Sequence, residues 1–148
     1  MKGLYLRRAD YSDIDLLYLW ANDPLVRKNS FQSDFIPLDA HIKWFNNMMI
    51  DNSILQFIMM NDSIPVGQVR LNLNGEDAYI GYSIAKEYRG KGYGREIIQL
   101  ITKTVSLQHP EIKRLIAWIK PDNKASLCLF ETEDYHHLYD CYVKEITH

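Results

Sequence analysis

The sequence has few of the features that mark membrane, secreted and metal-binding proteins. It has two cysteines in 148 residues, Cys128 and Cys141, and they match neither a metal-binding motif nor a disulfide framework. No apolar run approaches the ~20 residues that span a bilayer, and we recognise no secretory signal. We therefore expect a reduced, cytoplasmic protein with no metal and no membrane partner.

An excess of either charge is also missing. Seventeen basic and 19 acidic residues leave a formal net charge of −2, which argues against a general nucleic-acid partner. Low-complexity linkers, repeats and blocks of like charge are absent from the sequence. Because 47% of the residues are hydrophobic, the chain can build a proper core. We predict a single domain over residues 1–148.

Apolar periodicity predicts ten elements of secondary structure. Strands are predicted at Leu4–Ala9, Ile54–Met60, Val66–Leu73, Ala78–Ile84, Leu115–Ile119 and Leu138–Ile146. Helices are predicted after Ser12, from Pro37 to Asp51, from Arg95 to about His109 and at Lys124–Glu131, with a polar connector at Val26–Phe31. The order is β-α-α-β-β-β-α-β-α-β, which indicates an α+β fold with a twisted mixed sheet and helices on both faces.

Three glycines in five residues separate the fourth predicted strand from the helix that follows it, in Arg89-Gly-Lys-Gly-Tyr-Gly94. Glycine reaches positive φ without a Cβ penalty and lets a ligand approach the backbone closely. A helix N-terminus leaves N–H groups unpaired beside the positive end of the helix dipole. Arg89, Lys91 and Arg95 add positive charge at the same place. The segment therefore predicts a binding site for a pyrophosphate.

The glycine spacing excludes two common phosphate-binding motifs. A Walker A loop needs four residues between its glycines, and a Rossmann fingerprint needs Gly-x-Gly-x-x-Gly, whereas Gly90, Gly92 and Gly94 are two residues apart. The segment resembles the acyl-CoA-binding motif of the GNAT N-acetyltransferases, Arg/Gln-x-x-Gly-x-Gly/Ala, in which Arg89, Gly92 and Gly94 fill the fixed positions. The alternative interpretation is a tight strand-to-helix turn with solvated basic side chains.

The resemblance covers nearly the whole chain, because the predicted order of elements is that of the GNAT acyl-CoA N-acyltransferase fold. It implies that acetyl-CoA is the cosubstrate and that the thioester lies where parallel strands four and five separate. Asn123 and Ser126 fit the Asn-x-x-Ser that relatives place near CoA, although Asn123 also suits a helix N-cap. The implied cofactor contacts are Ser83, Ile84, Ala85, Arg89, Gly90, Lys91, Gly92, Tyr93, Gly94, Arg95, Asn123 and Ser126.

The chain departs from the family at both usual acid–base positions. Many GNAT enzymes carry a catalytic tyrosine in a run ending Tyr-x-x-x-Gly-Phe, but here Phe130 replaces the tyrosine and Asp134 the glycine. Histone-type relatives carry a glutamate on the fourth strand, where this chain has Ala78. We name His41 and Asp77 as candidate catalytic bases that act through water. Histidine ordinarily titrates near neutral pH, although His41 also suits a helix-packing role.

The N-terminal half is expected to recognise the acceptor amine. The run from Trp20 to Phe31 and the following His41-Ile-Lys-Trp-Phe45 resemble a GNAT branch that includes amino-sugar acetyltransferases of the pseudaminic-acid type. Those enzymes acetylate the 4-amino group of a nucleotide-linked sugar. The same region is similar, less completely, to the ribosomal-protein N-terminal acetyltransferases. The implied acceptor contacts are Asn22, Arg27, Asn29, Ser30, Phe31, His41, Trp44 and Phe45, whereas Asp23, Asp34 and Asp39 would suit a peptide α-ammonium.

We therefore predict an N-acetyltransferase that moves an acetyl group from acetyl-CoA to a small primary amine by direct attack in a ternary complex. An amino sugar, nucleotide-linked in the relatives that the chain resembles, is the first acceptor class, and a protein N-terminus is the alternative. Because Phe130 and Ala78 occupy the usual catalytic positions, a non-catalytic acyl-CoA-binding module is the third interpretation. Tyr139 and Tyr142 on the last predicted strand indicate an edge for a homodimer.

Overall fold

Five strands form one mixed sheet in the computed structural model, which describes residues 3–147. They lie in the order of the chain: β1 (Leu4–Arg8), β2 (Ile54–Asn61), β3 (Ile64–Asn74), β4 (Asp77–Ile84) and β5 (Arg114–Ile116). β1 to β4 pair antiparallel, and β5 runs parallel to β4. The turn between β3 and β4 places Gly75 at a φ of 63°, as the Asn74-Gly75 pair predicts.

Five α-helices accompany the sheet: α1 (Ile14–Ala21), α2 (Pro24–Asn29), α3 (Leu38–Ile50), α4 (Tyr93–Gln108) and α5 (Lys124–Thr132). Side chains alternate between the two faces of a strand, so the sheet builds two cores. Val69 packs with Ile97 of α4 in one core, and Ile58 packs with Phe45 of α3 in the other. The predicted α+β class is confirmed. Within residues 3–147, no helix combines the length and apolar character that a membrane crossing requires.

The connector predicted at Val26–Phe31 is wrong, because most of it belongs to α2. Pro24 follows the end of α1 as predicted, but it also occupies the first turn of α2, where a missing N–H costs nothing. Asp23 caps α2 by accepting hydrogen bonds from the amides of Leu25 at 2.9 Å and Val26 at 3.4 Å. The Asp-Pro pair therefore separates two helices.

The last predicted strand, Leu138–Ile146, does not form in the part of the chain that the structure describes. A strand needs a hydrogen-bonded neighbour, and β5 at the sheet edge has only three residues, fewer than the predicted Leu115–Ile119. Tyr139 and Tyr142 are 70% and 92% exposed instead of paired. The predicted dimer edge therefore loses its structural basis.

An ion pair fixes the start of α1 on the sheet. Asp13 is buried and accepts hydrogen bonds from Arg7 Nη1 at 2.7 Å and Nη2 at 2.8 Å. Its carboxylate also accepts from the amide of Asp10 at 2.8 Å. The hydrogen bonds from Arg7 hold the pKa of Asp13 below its usual value, although burial acts in the opposite direction. α1 is thereby tied to β1, the strand that carries Arg7.

We expect Asp13→Asn to lower the free energy of unfolding by about 2 kcal/mol at pH 7, because Arg7 loses a buried ionic partner. The folded-state pKa of Asp13 is depressed, so this contribution is present above the unfolded pKa of about 4 and is lost as pH falls below it. Urea unfolding at pH 7 and pH 3 measures the effect. The exposed Asp15→Asn is the control, and an equal loss for Asp13→Asn at both pH values would contradict the assignment.

Candidate active site

An opening lies beside β4 because β4 extends beyond the end of β5, its parallel neighbour. The ladder between the two strands ends where Tyr79 faces Ile116, whereas β4 continues to Ile84. The residues after β5 that the structure describes form no strand, so one edge of β4 has no partner strand there. The separation of strands four and five that the family resemblance implies is confirmed.

The direction of the backbone groups along β4 corrects two predicted contacts. Ala85 donates its N–H to the carbonyl oxygen of Val66 at 2.9 Å. Because directions alternate along an antiparallel ladder, Ser83 also turns its backbone groups toward β3. Ser83 and Ala85 are therefore wrong as backbone contacts for a ligand in the opening. The amides of Tyr82 and Ile84 face the opening, and no acceptor within residues 3–147 pairs with them.

The glycine segment makes the predicted turn into α4. Gly90 and Gly92 have φ values of 73° and 86°, which strongly favour glycine. A Cβ atom on Gly94 would lie 3.3 Å from the side chain of Leu129 and 3.7 Å from that of Tyr82. Within the described chain, the backbone amides of residues 90–95 are bonded to no backbone acceptor. These amides can therefore receive an anion at the helix N-terminus.

The basic side chains of this segment differ in how far contacts within the protein hold them in place. Arg89 donates from Nε to the carbonyl oxygen of Ile84 at 3.1 Å, and its Nη2 lies 2.9 Å from Asp23 Oδ1. Arg89 thus links the glycine segment to the N-terminus of α2 and is not a mobile charge. Lys91 is exposed, and Arg95 is 65% exposed although it pairs with a glutamate of the α5 end. Lys91 and Arg95 are the cations within reach of a surface phosphate.

Three other predicted cofactor contacts have their side chains engaged in the protein. The Tyr93 side chain is buried and its hydroxyl accepts from Asn61 Nδ2 at 3.1 Å, so only its backbone faces the turn. Asn123 is the N-cap of α5 and accepts from the amide of Ser126 at 3.3 Å. The Ser126 hydroxyl lies 3.0 Å from the Tyr82 hydroxyl. Together these contacts fix α5 beside the opening.

Neither predicted catalytic base stands at the opening. His41 is 2% exposed, and its Nε2 lies 2.8 Å from the carbonyl oxygen of Ile14. Because a carbonyl only accepts, Nε2 donates this hydrogen bond, and the buried ring packs against Tyr18 of α1 and not at the opening. Asp77 accepts from Arg114 at 2.9 and 3.0 Å, which lowers the pKa of Asp77. It stands at the opposite end of the eight-residue β4 from Ile84, roughly 23 Å away. Both predictions are wrong.

Phe130 and Ala78 are buried, so the positions that carry acids or bases in relatives hold apolar groups. The Phe130 ring packs edge-on against Tyr82 at 5.8 Å and Tyr135 at 4.7 Å between centroids. The Tyr135 hydroxyl has no hydrogen-bond partner within residues 3–147, and burial raises its pKa to about 12. Burial also raises the pKa of Tyr82, despite the opposing hydrogen bond with Ser126. Both phenols therefore stay protonated at neutral pH.

Asp134, at the position where the family resemblance has a glycine, ends α5 in a left-handed conformation. Its φ is 65°, in the left-handed region. The amide of Asp134 donates to the carbonyl oxygen of Glu131 at 3.3 Å, and that of Tyr135 donates to Phe130 at 2.9 Å. This pair of hydrogen bonds is the Schellman motif that ends many helices. α5 therefore ends in this motif although the position is an aspartate.

A cavity of about 180 Å³ lies between the sheet and the N-terminal helices. Gln56 Nε2 donates to Gln68 Oε1 at 2.8 Å, and Gln68 Nε2 donates to the Ser83 hydroxyl at 3.0 Å, which forms a chain across β2, β3 and β4. A Cβ atom on Gly81 would meet no atom within 4 Å, so Gly81 leaves the cavity open at β4. The helices contribute Leu17, Trp20, Ala21, Val26, Arg27, Ser30 and Trp44.

Three of the predicted acceptor contacts line this cavity: Arg27, Ser30 and Trp44. Arg27 is held by neutral acceptors, because it donates to Ala21 O at 2.7 Å, to Gln32 O at 2.8 Å and to the Ser30 hydroxyl at 3.1 Å. Burial lowers the pKa of Arg27. Its role is to organise the loop after α2.

The other predicted acceptor contacts lie outside the cavity. Phe45 is fully buried in the core, whereas Phe31 is 68% exposed. Asn22 bonds both backbone groups of Ile36, at 2.9 and 2.8 Å, and so ties α1 to the segment before α3. His41 packs between helices, and Asn29 does not line the cavity.

Among the cavity residues that sequence reasoning missed are Gln56, Gln68, Arg70 and Gly81 of the sheet. The register places Gln56 opposite Arg70, and Arg70 opposite Gly81. The sequence did contain a signal for a polar face of the sheet. Gln56 interrupts an apolar run, and Gln68 and Arg70 are two residues apart on one strand and so share a face. Within residues 3–147, no group of three or more His, Cys, Asp or Glu side chains is arranged to hold a metal.

Known structures share this architecture. The spermidine N-acetyltransferase from Vibrio cholerae, solved with CoA and spermine, has a TM-score of 0.83 at 20% identity over 98% of this chain and 89% of that one. An acetyltransferase from Salmonella typhimurium that modifies the N-terminal serine of 50S ribosomal subunit protein L7/L12 has a TM-score of 0.78 at 18% identity, over 90% and 81%. At these identities the likeness shows the fold alone.

Sequence comparison gives the family. The chain is 28% identical over 94 residues to the uncharacterized N-acetyltransferase YfmK of Bacillus subtilis (strain 168), an alignment that spans 63% of this chain and 62% of that protein. The profile of the acetyltransferase (GNAT) domain matches residues 3–135. That match includes the glycine segment, the opening beside β4 and the helices around the cavity, and the chain belongs to the GNAT acetyltransferase domain family.

Proposed function

We propose that this protein transfers an acetyl group from acetyl-CoA to a primary amine held in the cavity. The observation that carries the proposal is the position of β4 between two sites. At its free edge β4 offers the unpaired amides of Tyr82 and Ile84 beside the glycine segment. On the face toward the N-terminal helices, Gly81 and Ser83 of the same strand line the cavity.

The free backbone groups match the parts of acetyl-CoA. The amides of residues 90–95 suit its pyrophosphate, and exposed Lys91 and Arg95 add charge for the phosphates. Tyr82 and Ile84 offer amides to the peptide-like pantetheine arm in the opening. Bound in this way, the thioester lies next to the part of β4 that borders the cavity.

The proposed chemistry is direct attack of the neutral amine on the thioester carbonyl carbon, which forms a C–N bond and breaks the C–S bond. An unpaired amide of β4 stabilises the oxyanion, an effect worth about 3 kcal/mol in comparable sites. The amine proton passes to water and the CoA thiolate, whose thiol has a pKa of about 8.5, can leave without a dedicated acid. Holding both substrates on one strand supplies the positioning that such a reaction needs.

An amino sugar linked to a nucleotide is the acceptor we propose. The cavity of about 180 Å³ is smaller than the roughly 300–1,000 Å³ of drug-sized sites, so it fits one ring rather than a whole nucleotide. Trp20 and Trp44 offer aromatic surfaces, and Ser30 and Ser83 offer hydroxyls. No carboxylate is among the lining residues, and Asp23 is already paired with Arg89. A polyamine or a peptide α-ammonium therefore lacks an acidic partner.

Thiol release from acetyl-CoA across a panel of amines tests the proposal. We expect the highest kcat/KM with nucleotide-linked 4-amino sugars, above free amino sugars, polyamines and N-terminal peptides. Turnover with peptides alone would replace the proposed acceptor by a protein N-terminus. Tight acetyl-CoA binding without turnover on any amine would contradict catalysis, and would make Phe130 and Ala78 the reason for a binding module.

We expect Gly92→Val to weaken acetyl-CoA binding about 100-fold, because a side chain at a φ of 86° both strains the turn and blocks the approach of the pyrophosphate. Calorimetry measures the affinity. Gly75→Val is the matched control, since Gly75 also has a positive φ, 63°, but lies in the hairpin between β3 and β4. Equal affinities of the two variants would show that the pyrophosphate binds elsewhere.

A further inference from the structure

Arg70 differs from the other partly buried arginines of the protein. Within residues 3–147 it pairs with no carboxylate, whereas carboxylates lie within 4.0 Å of the partly buried Arg7 and Arg89. It also donates no hydrogen bond to a neutral acceptor of the described chain, in contrast to Arg27. Arg70 nevertheless lines the cavity, with its guanidinium carbon 5.2 Å from the centroid of the Trp44 ring.

An unpaired cation in a half-buried site is unfavourable unless something compensates its charge. Burial lowers the pKa of Arg70, in line with that cost, and the protein around it supplies no anion. None of the thirteen residues that line the cavity is acidic. Within residues 3–147 no group compensates the charge of Arg70, and a bound ligand could do so.

Two neighbours of Arg70 favour a ligand with oxygen atoms. The Ser83 hydroxyl accepts from Gln68 at 3.0 Å, so its own hydrogen remains available to donate into the cavity. Gly81, directly opposite Arg70 in the ladder, leaves open space because its missing Cβ would meet no atom within 4 Å. Arg70 and Ser83 are thus two donors beside one space, and Trp44 holds the guanidinium from its other side.

We propose that Arg70 binds an oxyanion, a carboxylate or a phosphate, that the amine acceptor itself carries. This inference rests on the proposed acetyl transfer and narrows its acceptor to anionic amines. The planar guanidinium offers several N–H donors in a fork that matches such groups, and the Ser83 hydroxyl adds one more. In a nucleotide-linked amino sugar, the phosphate attached to the ring would be this anion.

Pairs of acceptors that differ only in the anion test the inference in the full-length protein. One pair is a free amino sugar and its 1-phosphate, and the other is an amino acid and its carboxamide. We expect the wild type to prefer the anionic member of at least one pair, which identifies phosphate or carboxylate as the source. Arg70→Met should lower the ratio of kcat/KM, anionic over uncharged, by about 10- to 100-fold. Arg70→Lys, which keeps the charge without the fork, should give an intermediate ratio.

Arg8→Met is the matched control. Its guanidinium also stacks on an aromatic ring, 5.5 Å from the centroid of Phe57, but it does not line the cavity. We expect it to keep the wild-type ratio. Circular dichroism checks that each variant is folded, and if Arg70→Met does not fold, Arg70→Lys and Ser83→Ala carry the comparison, both with lowered ratios.

Calorimetry with inorganic phosphate, carried out with saturating CoA so that the glycine segment is already occupied, separates this inference from the proposed function. Phosphate that binds the wild type and Arg8→Met, but not Arg70→Met, would support the anion site even if no amine is acetylated. Equal acceptor ratios in the wild type, Arg70→Met and Arg70→Lys would overturn the inference while leaving acetyl transfer in place. Phosphate binding that is unchanged in Arg70→Met would likewise overturn it.

Discussion

The hydrogen-bond pairing of β4 determines where the opening, the glycine segment and the cavity lie. β4 is paired with β3 over its whole length but with β5 over only three of its eight residues, so most of one edge stays open. The opening begins after Tyr79 and extends to the end of β4 at Ile84, a few residues before the glycine segment. Tyr82 reaches from this strand to Ser126 and so holds α5 at the opening. The glycine segment, the opening and the cavity therefore all lie beside β4.

The cofactor side and the acceptor side are joined by a second contact, the ion pair between Arg89 and Asp23. Burial alone would raise the pKa of Asp23, but hydrogen bonds from Arg89 and from the α2 amides lower it overall. Asp23 thus has two roles, as the cap of α2 and as the partner of the glycine segment. α2 carries Arg27, which orders the loop after it, so the same contact positions one wall of the cavity.

Local chemistry explains which features the sequence could predict. The Asn74-Gly75 turn and the glycine segment depend on backbone conformations that few residues adopt, and both were predicted correctly. The cavity was not, because the exact register of three paired strands is what brings Arg70 and its neighbours together. His41 and Asp77 were misjudged for a related reason. Their titratable groups suggested catalysis, but their partners, the Ile14 carbonyl and Arg114, become visible only in the folded chain.

The open edge of β4 also divides the amides of a single strand into two kinds. Ser83 and Ala85 are tied to β3, whereas Tyr82 and Ile84 between and beside them are not tied to β5. Hydrogen exchange with solvent follows such local differences, so neighbouring residues of this strand should exchange at rates that alternate along the chain. A ligand that pairs with the free edge would slow every second amide and remove the alternation. The exchange rates of these backbone amides therefore report whether a ligand occupies the opening, even when no acetyl group is transferred.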